Sequence, residues 1–291
     1  MDLCNEKDIR ALLGRHGFRF SKSMGQNFLI EGWVPRDIAE ASGAGPDTGV
    51  LEIGPGIGPL TVQLARRAAK VAAIELDRTL YPILAETLAP YPNAEVVPGD
   101  AMKLDLAALV SDKFSGLTVI ACANLPYNIT TPVLTALIEA GCFASITVMI
   151  QREVALRICA APGSGDYGAF SVYCQYHTVP ELLFDVPPEC FIPAPKVTSS
   201  VIRLVPRPAP EEVKDGKRFF RLVRAAFAQR RKTLLNALSS AYGSQLTKDA
   251  LRDAIAACGL PADVRGERLG IPEFAALADA LAQRTEDERT L

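Results

Sequence analysis

Five short apolar runs recur along one half of this chain: Val50 to Ile53, Val71 to Ile74, Ala94 to Val97, Thr118 to Ala121 and Ile146 to Ile150. Each is too short for a helix and apolar at successive positions, which predicts strands buried on both faces. Between them, Leu60 to Ala69, Thr79 to Leu88 and Pro132 to Ala140 show helical spacing. Repeated βα units can bury such strands only in a mostly parallel sheet with helices on both sides. The predicted class is therefore α/β, doubly wound and Rossmann-like. A later pair, Glu181 to Val186 and Ser199 to Val205, is separated by the Pro-rich Pro187 to Pro195. That stretch has no room for a crossover helix, so an antiparallel edge is expected there.

Pro206-Arg207-Pro208-Ala209-Pro210 punctuates the pattern, and beyond it only helical spacing remains, over Lys217 to Ala241, Lys248 to Cys258 and Ile271 to Gln283. Two domains follow: residues 1–207, with a basic N-terminal arm over 1–30, and a small helical domain over 208–291. A length of 291 residues suffices for one large α/β core and one smaller addition. No run approaches the roughly 18 apolar residues of a membrane span, and the charged Met1 to Arg15 lacks the apolar core of a secretory signal. The seven cysteines are odd in number and far apart, which suggests neither a disulfide framework nor a metal cluster. A cytoplasmic protein is expected, without a membrane partner or a bound metal.

Leu51-Glu52-Ile53-Gly54-Pro55-Gly56-Ile57-Gly58-Pro59-Leu60 joins the first strand to the first helix. Glycines at Gly54 and Gly56 let the backbone approach a ligand, and the helix start offers free N–H groups. A dinucleotide fingerprint would want a third glycine where Pro59 stands, so G-x-G-x-G points to S-adenosylmethionine instead, with NAD as the alternative. About twenty residues on, Glu75 closes the second strand, where a carboxylate can accept both ribose hydroxyls. Asp100 closes the third and can take an adenine amino group. Taken singly, each acid could equally be a helix cap or a solvated loop residue. Four strand ends, at Gly54, Glu75, Asp100 and Asn124, are expected to meet in one crevice.

Asn124-Leu125-Pro126-Tyr127 ends the fourth run. The Asn124 amide oxygen and a backbone carbonyl of Leu125 or Pro126 can accept the two hydrogens of an exocyclic amine. Tyr127 can stack on the ring that carries it, with Phe191 as candidate for the opposite wall. The alternatives are a turn in which Asn124 caps the next helix and a Phe191 that is simply core. Such a socket suits an amine-directed nucleic-acid methyltransferase.

Net charge is only −2, yet Lys217 to Lys232 holds seven basic residues and no acid. At about 100° per residue, Lys217, Arg221, Arg224, Arg231 and Lys232 share one helix side, opposite Phe219, Val223 and Ala226. Phe220 projects among the cations, and Arg230 projects onto the apolar side, where it must snorkel, pair with an acid or face a cleft. The face is either solvated or in contact with phosphates. A second basic stretch, Ile9 to Lys22, carries Arg10, Arg15, Arg19 and Lys22, and Glu286, Asp287 and Glu288 make the tail acidic.

Five segments together resemble the ribosomal RNA adenine dimethylases, most closely the bacterial small-subunit branch: Gly25-Gln26-Asn27-Phe28-Leu29, Glu52 to Gly58, Asn124 to Asn128, Phe191-x-Pro-x-Pro-Lys196-Val197, and Arg230-Arg231-Lys232-Thr233-Leu234. The likeness runs from about Gly14 to Leu281. It implies a class I methyltransferase sheet with a C-terminal helical domain, in which the run of cations without an acid favours contact with RNA phosphates through Arg221, Arg224, Arg231 and Lys232. It also implies S-adenosylmethionine as cofactor, held by residues matching Asn27, Leu29, Gly54, Glu75, Asp100 and Asn124, with Gln26 and Gly56 in the same motifs. The implied reaction puts two methyls on each N6 of two adjacent adenosines in the 3′-terminal hairpin of 16S rRNA, within a pre-small-subunit particle, by a monomeric enzyme. Leu156 and Gly270 depart from the family's usual residues. Relatives that modify 23S rRNA in macrolide resistance share the site plan, so that substrate stays open, as do a DNA adenine methyltransferase and a non-catalytic assembly factor.

Overall fold

The computed structural model describes residues 1–18 and 26–290, with side chains described as far as residue 285. Gly25, Arg19 and Lys22, singled out above, lie outside the described residues, as do the side chains of Glu286, Asp287 and Glu288. The chain forms two compact units. Met1–Ala155 and Pro180–Pro206 make the first, and Leu156–Val179 with everything from Arg207 onward makes the second.

The first unit contains nearly all of a seven-stranded sheet. Its strands are β2 (Thr48–Ile53), β3 (Lys70–Glu75), β4 (Ala94–Pro98), β5 (Thr118–Asn124), β6 (Ile146–Gln151), β7 (Thr178–Val186) and β9 (Ser199–Pro206). A separate pair is formed by β1 (Phe28–Leu29) and β8 (Phe191–Ile192). The sheet order is β4-β3-β2-β5-β6-β9-β7, with β2 to β6 parallel and β9 antiparallel to β6. From β2 the chain winds one way to β3 and β4, then returns to place β5 on β2's other side. The switch point between β2 and β5 is where open α/β sheets hold their ligands.

The expected antiparallel edge is present. Ser200 Oγ donates to Asp185 Oδ1 and Arg203 pairs with Glu181, a pairing that runs oppositely along β9 and β7. Crossover helices Pro59–Ala65, Tyr81–Leu88, Leu106–Lys113 and Thr130–Ala140 return the chain between the parallel strands. Val50, Val71, Ile120 and Met149, one from each of four neighbouring strands, meet Leu60 and Leu64 in one apolar cluster. The expectation that Ala94 to Val97 is buried on both faces was wrong. As the sheet's outermost strand, β4 is only half-buried.

The second unit is helical and, besides the residues from Arg207 onward, takes in residues 156–179, which the sequence reading placed in the first domain. Residues 156–179 belong to it because Tyr167, Val172 and Tyr176 pack in the cluster of Phe219, Leu222, Leu234 and Phe274. Gln175 Nε2 also ties back to the carbonyls of Ile158 and Ala160. The single helix expected over Lys217 to Ala241 is two, Gly216–Phe227 and Leu234–Tyr242. Tertiary partners replace the helical ladder at the break: Leu234 N donates to Val264 O at 2.7 Å, and Arg230 reaches the carbonyls of Gly165 and Tyr167. Gly266 lies so close that an added Cβ would sit 2.9 Å from Ala226 O, which only glycine allows.

Candidate active site

One cavity of the first unit is lined by the ends of β2, β3, β4 and β5, together with β1 and β8. Twelve residues expected from the sequence line it: Gln26, Asn27, Leu29, Gly54, Gly56, Glu75, Asp100, Asn124, Leu125, Pro126, Tyr127 and Phe191. They span more than 160 positions of sequence, yet the parallel strands all deliver their C-terminal ends to one rim.

The glycine loop adopts a backbone that side chains resist. Gly54, Gly56 and Gly58 have φ of 70°, 61° and 93°, and Pro59 then starts the helix in its preferred first position. Glu75 braces this loop, accepting from Gly56 N at 3.3 Å and from Asp77 N at 2.8 Å. It is 6 % exposed. Burial raises its pKa, against the opposing pull of those backbone hydrogen bonds. Gln26 donates to Asp77 Oδ2 at 2.7 Å, which ties the segment before β1 to the end of β3. Asp77 in turn caps the following turn through Thr79.

Asp100 keeps part of its alternative role. Its Oδ1 accepts from Met102 N at 3.0 Å in a local turn, while Lys103 Nζ lies 3.7 Å from Oδ2. Beside the two acids stand residues the sequence reading missed. Leu76 and Met102 are 53 % and 43 % exposed and line the cavity. Two large apolar side chains left open at the mouth of the cavity suit a flat heterocycle. Their signal was present: each directly follows, or nearly follows, a strand-end acid.

Glu52 was also missed as a cavity residue. It is 1 % exposed, and neither its Oε2 nor the Thr61 hydroxyl has a hydrogen-bond partner among the described residues. Burial, the nearby Thr61 hydroxyl working against it, and the Glu75 charge together push its pKa up to about 8. An acid with a raised folded-state pKa contributes most stability below its unfolded value near 4.5, and that contribution fades as pH rises toward 8. Glu52→Gln, which cannot ionise, should thus gain melting temperature relative to the parent between pH 5 and pH 8 in cofactor-free protein. A melting-temperature difference that stays constant across that range would mean Glu52 does not titrate there.

Asn124 is the last residue of β5 and caps no helix. The turn at Tyr127–Ile129 begins from Pro126, and the helix after it from Ile129 without a side-chain cap. Its amide has no hydrogen bond among the described residues and lines the cavity. Pro126 O is engaged, accepting from Ile129 N at 3.2 Å with Thr130 Oγ1 also at 3.2 Å. Leu125, by contrast, is pinned among the described residues only through its N–H to Met149 O. Of the two carbonyls considered for an amine, Leu125 O is therefore the one at liberty to accept.

The Tyr127 hydroxyl hydrogen-bonds Ser199 Oγ at 2.7 Å, a partner on β9 that no sequence pattern announced. Burial raises the Tyr127 pKa, so the ring stays neutral. Phe191 lines the cavity from β8, which pairs with β1 in the register Leu29↔Phe191. At 3 % exposed it also belongs to the apolar core, so both readings of this residue describe part of its position.

Arg221, Arg224, Arg231 and Lys232 lie in the second unit, all exposed. Because the helix stops at Phe227, Arg231 and Lys232 occupy the following turn and do not continue the face of Arg221 and Arg224. Arg230 resolves its three options by capping two carbonyls, with Glu267 at 3.8 Å. Among the described residues no group of His, Cys, Asp and Glu could hold a metal, and no helix is long and apolar enough to cross a membrane.

A glycine loop braced by a buried strand-end carboxylate, with an unengaged amide and carbonyl at the end of β5, is the arrangement of class I methyltransferases that use S-adenosylmethionine on exocyclic amines. The comparisons carry this from class to family. Residues 17–259 match the family described as ribosomal RNA adenine dimethylase, and the chain belongs to that family. It is 48% identical over 94% of its length to the ribosomal RNA small subunit methyltransferase A of Alkaliphilus metalliredigens, covering 96% of that protein. To the protein of the same name from Geobacillus kaustophilus it is 45% identical, over 97% of each chain. Among solved structures it is similar to a dimethyladenosine transferase from Plasmodium falciparum, with TM-score 0.71, 25% identity and coverage of 88% of this chain and 98% of that one. It is also similar to the 23S rRNA methyltransferase ErmE, with TM-score 0.66, 26% identity and coverage of 88% and 100%.

Proposed function

We propose that this chain dimethylates N6 of two adjacent adenosines in the 3′-terminal hairpin of 16S rRNA, acting as a cytoplasmic monomer on a pre-small-subunit particle. The observation that carries the reading is the pairing of an unengaged Asn124 amide with the free Leu125 carbonyl at the rim of the glycine-loop cavity. Two acceptors on adjacent cavity-lining residues match the two hydrogens of an adenine amine, whose lone pair is otherwise delocalised into the ring. Accepting both hydrogens biases the nitrogen toward a pyramidal form with its lone pair directed into the cavity.

Bound S-adenosylmethionine supplies an electrophilic methyl and leaves as a neutral thioether. The residues present fit that cofactor: Glu75 for the ribose hydroxyls, Asp100 for the adenine amine, Leu76 and Met102 for its ring faces, and Gly54 and Gly56 for close backbone approach. Asn27 and Leu29 close the cavity from β1, and Gln26 holds that segment in place through Asp77. Tyr127 stacks on the extruded adenine, its ring angle set by Ser199, and Phe191 backs the pocket. The amine sheds its proton after transfer, when it is cationic and acidic, so no strong base is required.

The small-subunit relatives favour 16S rRNA. Similarity to ErmE keeps 23S rRNA as the rival substrate. Labelled S-adenosylmethionine offered with undermethylated small subunits, large subunits and duplex DNA separates these. N6,N6-dimethyladenosine confined to 16S rRNA is the expected product; label in 23S rRNA or DNA would replace the substrate assignment, and no transfer at all would favour an assembly factor.

RNA contact is assigned to the second unit through Arg221, Arg224, Arg231 and Lys232. Arg221 is preorganised, its guanidinium 4.7 Å above the Tyr242 ring and donating to Gln245 Oε1 at 3.1 Å. Reversing Arg221 and Arg224 to Glu should weaken RNA binding and flatten its salt dependence by about one unit of slope per lost phosphate contact. An unchanged slope would remove this helix from the interface.

A further inference from the structure

Helices Ala169–His177 and Gly216–Phe227, both in the second unit, share a run of aromatic rings that the cofactor site does not use. Phe170 and Tyr173 lie nearly parallel, with centroids 6.0 Å apart, and Tyr173 meets His177 at 4.8 Å and Phe220 at 5.7 Å, tilted by 57° and 50°. His177 and Phe220 are again nearly parallel, 8° between planes and 5.8 Å between centroids. All four are only half-buried. Beneath them Tyr176 and Phe219 are buried and meet Phe220 edge-on at 4.8 and 5.2 Å. The inner pair belongs to the unit's apolar core, and Phe220 packs against it.

Phe220 is the residue that breaks the cationic pattern of its helix. Lys217 and Arg224, three before and four after it, are its neighbours on the helix surface. Both are exposed, and neither forms an ion pair with a described acid. An apolar partner helix would leave those two charges uncompensated at the edge of the contact. A strand that brings flat rings and negative charge at alternating points satisfies rings and cations together.

Building on the RNA-methyltransferase reading, we propose that Tyr173, His177 and Phe220 form a stacking platform for unpaired bases of the substrate RNA, with Lys217 and Arg224 contacting the flanking phosphates. The rings add a grip on single-stranded nucleotides that the arginines alone do not provide, because structured RNA is told apart by its unstacked loops.

The test compares binding of the full chain to an RNA hairpin with an unpaired loop and to a fully paired RNA of equal length, over a range of salt. Phe220→Leu keeps apolar bulk and loses the ring. It should weaken loop binding roughly 5- to 100-fold, as loss of one stacked base does, with the salt slope and duplex affinity unchanged. Tyr173→Leu should do the same, which guards against a folding defect peculiar to one position. Arg224→Gln should instead weaken both RNAs and flatten the slope. Loop binding that survives both ring variants, or falls equally for loop and duplex, overturns the platform while leaving the methyltransferase reading intact. A parent protein that binds neither RNA overturns both.

Discussion

Asn124→Ala should lower methyl transfer to rRNA by roughly 10²–10³-fold or more, with cofactor and RNA affinities close to those of the parent. The reasoning is geometric. Asn124 sits at the end of β5 with an amide that braces nothing else among the described residues, so its removal leaves the fold and the glycine loop unchanged. What disappears, on the proposed mechanism, is one of two acceptors that reshape the adenine amine. The remaining Leu125 carbonyl can still orient one hydrogen but cannot bias the nitrogen toward its reactive form alone. Single-turnover transfer with saturating cofactor reads the chemical step directly, and equilibrium binding of S-adenosylhomocysteine and of RNA supplies the controls. Near-parental turnover in this variant would sink the mechanism. Asn124→Asp is a useful companion, since it keeps the acceptor oxygens but places a charge beside the developing cation and separates hydrogen bonding from electrostatics.

Glu75→Ala should weaken S-adenosylmethionine binding by roughly 10²-fold or more. Two hydroxyl hydrogen bonds to a charged acceptor, each worth about 1.5–3 kcal/mol, would be lost together. A further loss comes from the loop itself, because Glu75 Oε2 accepts from Gly56 N and Oε1 from Asp77 N. On the proposed reading the same carboxylate both shapes the loop and meets the ligand. Glu75→Gln, with one acceptor oxygen left, should fall between parent and alanine variant. Calorimetric titration measures both, and a parental affinity in the alanine variant would move the ribose contact elsewhere. Because burial raises the Glu75 pKa, cofactor affinity should begin to fall at a higher pH than an ordinary glutamate would give as the solution is acidified. Protonation removes acceptor capacity, so the direction is a loss toward low pH.

The two variants probe residues that were legible for different reasons. Asn124 was readable because its neighbours Leu125, Pro126 and Tyr127 form a contiguous chemical unit, and the strand ahead of it is apolar from Val119 to Ala123. Glu75 was readable only by its distance from the glycine loop. Asp100 lines the cavity, but its partial engagement in a local turn with Met102 was not visible in the sequence. Leu76 and Met102 went unnoticed because apolar residues are unremarkable in a sequence and become informative only when found exposed. Ser199 lies 72 positions from the Tyr127 hydroxyl it orients, and nothing local marks such a pair.

By itself, then, the sequence determined what depends on neighbours in the chain. Apolar runs of strand length set the parallel sheet, the glycines set the loop, and Asn-Leu-Pro-Tyr set the chemistry offered at β5's end. Only the tertiary structure decided where the cationic helix stops. Its periodicity continues past Phe227, but Gly266 against Ala226, Val264 O on Leu234 N and the Arg230 caps outweigh a ladder worth little per residue, and Arg231 and Lys232 leave the face. Tertiary structure likewise gave residues 156–179 to the helical unit, and brought Phe191 to the cavity through the pairing of β8 with β1. Helical periodicity is a preference of tenths of a kcal/mol per residue, whereas buried packing and satisfied backbone groups contribute on the order of a kcal/mol each. Where the two conflict, contacts between residues distant in sequence prevail.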